Sequence, residues 1–224
     1  GIEKVIAIIG HKAGLVKERI GGIKCIKQDK LLGTGDAVSR ARGAILKDNK
    51  IDNVLILYGD TPLLSQEVIK KLIEQHAVTS ASATILTAQL KNPTGYGRVI
   101  RSPGNKIVKI VEELDASIYE KVTEEINVGV YCFNKRALFY GLEKIKPDNK
   151  KEEYYLTDAI EVLTKSNMQG ESIATNDPEE FLGVNTRLEL AKAEFVMKKR
   201  ILAGIMETGA TIIDPDNTYI EHGA

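Results

Sequence analysis

Unalternated apolar runs of four or five residues recur in the first half of the chain, at Val5 to Ile9 and Val54 to Leu57. Each ends in a glycine-bearing turn, Gly10-His11 and Tyr58-Gly59-Asp60. Runs of this kind suit strands buried on both faces of a parallel sheet. Between them Lys12 to Ile20 reads as a short helix stopped by Gly21-Gly22, Lys24 to Gln28 as a short strand, and Ala37 to Leu46 as a helix. Gln66 to Ala77 is an amphipathic helix with Ser65 as its N-cap and Glu67 in its first turn. The order β-α-β-α-β-α predicts a parallel, doubly wound α/β sheet. Further on, strands are expected at Ala83 to Ala88, Gly97 to Arg101, Lys106 to Val111 and Asn127 to Phe133. Ser102-Pro-Gly-Asn105 predicts a hairpin between the second and third of these. Helices follow at Lys135 to Lys144 and Thr157 to Ser166, a short strand at Ser172 to Thr175, and one long helix from about Asn185 to Thr208. The tail from Ala210 to Ile220 reads as extended.

Composition narrows the class. At 224 residues the chain can form one large α/β domain or two small ones. Its 31 basic residues balance 31 acidic ones, so no global field points to nucleic acid or a membrane surface. No apolar run approaches the length of a bilayer span, no secretory leader opens the chain, and Cys25 and Cys132 are too few for a disulfide framework. The expected compartment is the cytoplasm. The sequence starts at Gly1 and runs almost directly into a strand, and is read as a fragment.

Candidate chemistry gathers at strand ends. Asp60 sits where open α/β sheets bind ligands, and a carboxylate there suits Mg²⁺, which takes one or two protein oxygens and completes its shell with phosphate and water. The same Asp would serve equally well as the cap of a βα loop. Gly33 and Gly35 straddle Thr34 just before a helix, where backbone N–H groups can hold a phosphate or a base carbonyl. Glu112, Asn127, Thr157 and Asn185 also stand at strand or helix ends, and singly each reads as a solvated end, a turn residue or an N-cap. His11, His76 and His222 occupy polar stretches, with no nucleophilic triad and no zinc-type spacing.

Seven stretches, in order, carry a resemblance: Leu32-Gly-Thr-Gly-Asp-Ala37, Leu57-Tyr-Gly-Asp-Thr-Pro-Leu63, Asn92-Pro-Thr-Gly-Tyr-Gly-Arg98, Val111-Glu-Glu113, Glu125-Ile-Asn-Val-Gly129, Glu153-Tyr-Tyr-Leu-Thr-Asp158 and Gly183-Val-Asn-Thr-Arg187. Together the chain resembles the uridylyltransferase domain of bifunctional N-acetylglucosamine-1-phosphate uridylyltransferase/glucosamine-1-phosphate acetyltransferases. The resemblance implies a Rossmann-like nucleotidyltransferase fold with a mostly parallel mixed sheet, a β-hairpin insertion and a long C-terminal helix leading to a left-handed β-helix. It divides the chain into a transferase domain over 1–184, a linker helix over 185–209 and the start of the β-helix over 210–224. It implies UTP and N-acetylglucosamine-1-phosphate as substrates, UDP-N-acetylglucosamine as product for cell-wall synthesis, Mg²⁺ as cofactor, and a homotrimer formed through the β-helix domain. Carried over, Gln28 and Gly33 match positions that read the uracil edge, with Thr34 beside them. Tyr58 and Gly59 match nucleotide-sugar contacts, Asp60 and Asn185 the Mg²⁺ ligands and catalytic pair, and Gly97, Glu112, Asn127 and Thr157 the wall around the N-acetylglucosamine.

One departure stands out. The family's first strand and its glycine-rich, arginine-bearing loop, which hold the triphosphate, have no counterpart here. The expectation is unpaired sheet edges beside the vacancy and little or no activity in this chain alone. The alternatives are a transferase for another sugar phosphate or nucleotide, and a non-catalytic module that binds nucleotide sugars or assembles subunits.

Overall fold

The structure is a computed structural model that describes residues 2–221 and Gly223. The strand β7 (Glu125–Asn134) is its axis: eight of its ten residues are buried, and they alternate between two cores. Ile126, Val128, Val130 and Cys132 face α4 (Gln66–Thr79), while Tyr131 and Phe133 face α6 (Lys135–Leu142) and α7 (Asp158–Lys165). Such strict period-two burial is what places one sheet between two helical layers.

β7 pairs antiparallel with β4 (Ala83–Gln89) on one side and with β3 (Asn53–Ile56) and β5 (Arg98–Arg101) on the other. β6 (Ile107–Val111) continues beyond β5, and β8 (Gly170–Thr175) lies parallel to β4. The sheet is thus mixed, as expected: β3, β4, β5 and β8 share one direction and β6 and β7 oppose them. The expected hairpin is β5–β6, its turn completed by Asn105 at φ 60°.

The expectation of a parallel, doubly buried strand at 54–57 needs correction. β3 ends at Ile56, its one ladder among the described residues is the antiparallel one to β7, and Leu57 is 43% exposed. β1 (Ile6–Ile9) and β2 (Lys24–Lys27) form a separate two-stranded parallel sheet, so β1 and β3 each have one edge without a ladder among the described residues. Ile6, Ile8, Val54 and Ile56 nevertheless pack on the same core.

Local chemistry explains most boundaries. α1 (Ala13–Arg19) carries Lys17 and Arg19 in its last turn, complementing the helix dipole. The helix expected over 37–46 is broken at Ala41 into α2 (Thr34–Arg40) and α3 (Arg42–Leu46), where tight three-residue bonds replace the α pattern. A capping box of Ser117 and Glu120 starts the short α5 (Ile118–Lys121). The long helix is α8 (Arg187–Glu207), and its cap is Thr186, boxed with Glu189, rather than Asn185. Residues 210–221 form no strand, so no β-helix is seen among the described residues, and His222 and Ala224 lie outside them.

His76 is also not the polar-surface residue that its surroundings in sequence suggest. It is 3% exposed, with Nδ1 2.9 Å from Thr84 Oγ1 and Nε2 3.2 Å from Asn53 Oδ1, stitching α4 to β4 and β3. Burial holds its pKa below the ordinary value of 6.5. The unfolded chain therefore binds the extra proton first, and this contribution to stability is complete above about pH 6.5 and falls as the pH drops, by at most about 1.4 kcal/mol per pH unit. Glu112 and Asp158, whose pKa values burial raises, act in the opposite sense. Urea titrations of wild type and His76→Gln between pH 7 and 5 should converge in stability as the pH falls; parallel curves would show that His76 charges without cost.

Candidate active site

The LGTGDA and EYYLTD stretches, some 120 residues apart, form one wall. Tyr154 N–H donates to Leu32 O at 2.8 Å, Gly35 N–H donates to Tyr154 O at 2.7 Å, and Leu156 N–H donates to Thr34 Oγ1 at 3.0 Å. The glycines permit this: Gly33 has φ 100° and ψ 175°, and a Cβ on it would lie 2.6 Å from Tyr154 O. On Gly35 a Cβ would lie 2.9 Å from the same oxygen. The G-x-G spacing thus serves first to seat Tyr154, and the Gly35 N–H is spent there rather than left for a phosphate. A cavity of about 120 Å³ between this loop, Leu142 and Ile145 is too small for a nucleotide.

Gln28 lies beneath the loop, 8% exposed, with Nε2 donating to Gly33 O at 3.1 Å and Asp36 Oδ2 at 2.8 Å. Its amide donors are committed internally, which leaves Oε1 as the acceptor able to read a base N–H.

Four of the expected sugar-wall residues come together at the ends of β5, β6 and β7 and the start of α7. Asn127 N–H donates to Gly97 O at 2.8 Å, and Thr157 Oγ1 donates to Glu112 Oε1 at 3.0 Å. A Cβ on Gly97 would stand 3.4 Å from Glu112 Oε2, so this glycine keeps the second carboxylate oxygen clear. Thr157 makes no side-chain cap on α7, contrary to the N-cap reading; its hydroxyl is spent on Glu112. Burial raises the Glu112 pKa despite that bond, and burial with Glu112 and Glu161 nearby lifts Asp158 to about 6.

The Gly95–Gly97 loop is braced by a charged pair not foreseen from the sequence. Arg98, 2% exposed, donates through Nη2 to Glu113 Oε2 at 2.6 Å and through Nη1 to Tyr96 O. Glu113 Oε2 also accepts from Gly95 N–H at 3.2 Å. The Arg98 guanidinium, foremost among these contacts, keeps the Glu113 carboxyl below its ordinary range.

Asp60 and Asn185 are both exposed and lie on touching loops: Val184 N–H donates to Asp60 O at 2.8 Å. Arg200 on α8 donates through Nη1 to Leu63 O at 2.6 Å, so the same helix that follows Asn185 also holds the loop after Asp60. Among the described residues no three or more His, Cys, Asp and Glu side chains cluster to hold a metal. One carboxylate and one amide oxygen fit a Mg²⁺ that draws its remaining ligands from phosphates and water. Tyr58, two residues before Asp60, packs its ring against Tyr131 with centroids 6.1 Å apart. A Cβ on Gly59 would meet nothing within 4 Å.

The model of the nucleotidyl transferase family matches residues 1–178. The chain belongs to the nucleotidyl transferase family. It is 46% identical over 222 residues to the bifunctional protein GlmU of Acetivibrio thermocellus and 42% identical over 222 residues to that of Clostridioides difficile. Each alignment takes in 99% of this chain and 48% of the relative, so the chain spans about half the length of the curated relatives it matches. A UDP-glucose pyrophosphorylase solved with UDP-glucose shares the fold at a TM-score of 0.68 and 13% identity, over 87% of this chain and 81% of that one. With the family, the mixed α/β sheet becomes a nucleotidyltransferase fold. No helix among the described residues is long and apolar enough to cross a membrane.

Proposed function

We propose that this chain is the nucleotidyl-transfer part of a sugar-1-phosphate uridylyltransferase, joining UTP and N-acetylglucosamine-1-phosphate into UDP-N-acetylglucosamine with release of pyrophosphate. The observation that carries the reading is the convergence of Gly97, Glu112, Asn127 and Thr157 into one polar wall, alongside the Gln28–Gly33 contact and the touching loops of Asp60 and Asn185. The likeness to the N-terminal half of the GlmU proteins supports it.

In this reading a phosphate oxygen of the sugar phosphate attacks the α-phosphorus of UTP in line, a new P–O bond forms, and the bond to the β-phosphate oxygen breaks. The chain's residues position rather than react. Gln28 Oε1 and the Gly33 backbone orient the base, and Tyr58 and Gly59 line the nucleotide sugar. Asn127 and the free Glu112 oxygen fix the sugar ring. Asp60 and Asn185 would hold Mg²⁺, whose charge neutralises the phosphoryl oxygens when it is bound.

The bare edges of β1 and β3 support a further part of the reading: a strand and glycine-rich, cationic loop would pair there and cradle the triphosphate. Mg²⁺-dependent pyrophosphate release from UTP and N-acetylglucosamine-1-phosphate should therefore be at least about a hundredfold faster with that segment joined than in the chain alone. A joined protein that folds and binds UDP-N-acetylglucosamine without turnover would instead identify a binding module.

A further inference from the structure

Between Tyr131 and Asn127 the strand β7 carries two more residues than β4 opposite it, where Ile85 pairs with Tyr131 and Thr87 with Asn127. An even insertion keeps both side chains on the same face of the sheet. It also shortens the strand locally: in a regular strand the two Cα atoms stand about 13 Å apart, whereas here they oppose residues only two positions apart on β4, and Asn127 Nδ2 donates to the Tyr131 hydroxyl at 2.7 Å. Gly129 makes the contraction possible at φ 86°, and a Cβ on it would lie 2.7 Å from the Tyr58 ring.

The amide of Asn127 is held at both ends. Gly129 N–H, which can only donate, bonds Oδ1 at 3.2 Å, and Nδ2 therefore faces the phenol. One N–H and one lone pair remain for a ligand. The Tyr131 hydroxyl, accepting from Asn127, has its own proton left for Tyr58 OH at 3.5 Å. Tyr131 is 0% exposed, and burial keeps it neutral and so able to fill this place.

We propose that Tyr131 is a positioning residue for the sugar wall, fixing the Asn127 amide so that its free N–H and oxygen point at one orientation of a sugar ring. The proposal rests on the functional reading in taking Asn127 as a sugar contact. Tyr131→Phe keeps the ring and removes the acceptor.

The first measurement is the side-chain amide signal of Asn127 by NMR in the ligand-free chain. In wild type one of its two protons should exchange slowly, and in Tyr131→Phe both should exchange fast. The second is calorimetric titration with UDP-N-acetylglucosamine of wild type, Tyr131→Phe, Asn127→Ala and the double variant. Tyr131→Phe should weaken binding about tenfold, and the double variant should bind no worse than Asn127→Ala. Unchanged exchange in Tyr131→Phe, or losses that simply add, would overturn the proposal. A chain that binds no sugar nucleotide even when joined to the strand and loop proposed above refutes the functional reading instead, and the amide exchange still decides the positioning. Equal, fast exchange of both protons in wild type overturns it without any variant having to fold.

Discussion

Gly33→Ala should lose about 3 kcal/mol of folding stability, one of the largest effects of any single methyl group added to this chain. The residue has φ 100° and ψ 175°, a region that side-chain-bearing residues enter only under strain, and its new Cβ would meet a backbone carbonyl at 2.6 Å and a backbone nitrogen at 2.9 Å. Neither contact can rotate away, since both belong to Tyr154, which is hydrogen-bonded to Leu32 and Gly35. The check is a urea titration with the slope unchanged and the midpoint lowered. Gly59→Ala supplies the contrast: a Cβ there meets nothing, so stability should stay within about 0.5 kcal/mol. If Gly33→Ala is as stable as Gly59→Ala, the seating of Tyr154 in the loop is wrong.

Asp60→Ala, in the chain joined to the strand and loop proposed above, should lower Mg²⁺-dependent pyrophosphate release by at least about a thousandfold. The side chain is exposed and makes no hydrogen bond to another residue among the described residues, so its removal should leave folding intact; the Asp60 backbone carbonyl keeps its bond to Val184. Thermal unfolding of the two proteins should coincide while the rates differ. Asn185→Ala should follow the same pattern with a smaller loss, because an amide oxygen carries no formal charge to the cation. A full rate in Asp60→Ala would remove Asp60 from the proposed metal site and the metal's proposed role with it.

Local pattern carried much of this structure. The position of β4, the hairpin turn at Ser102 to Asn105, the Ser65 cap and the span of α8 follow from periodicity and turn chemistry, which act over a few residues. The direction of β3's neighbour does not, because it depends on β7, some 75 residues later. The G-x-G loop shows the same limit: the glycines are visible, but Tyr154, which requires them, is remote in sequence. His76 and Arg98 look polar and exposed in sequence because their burial depends on partners supplied by other elements. In Glu125-Ile-Asn-Val-Gly-Val-Tyr131 one signal went unused: a glycine inside a strand pattern marks a bulge, and this one draws Asn127 toward Tyr131.

The partnership of residues 32–35 with 154–156 also sets an order of events. A wall whose halves are separated by 122 positions, Thr34 to Leu156, closes a long loop before any bond between them repays the entropy. During synthesis, the corner made by Gln28 and Gly33 stays open until Leu156 has left the ribosome, at least about six seconds after Thr34 at ordinary rates of elongation. The loop over 32–35 is therefore translated well before the segment that shapes it.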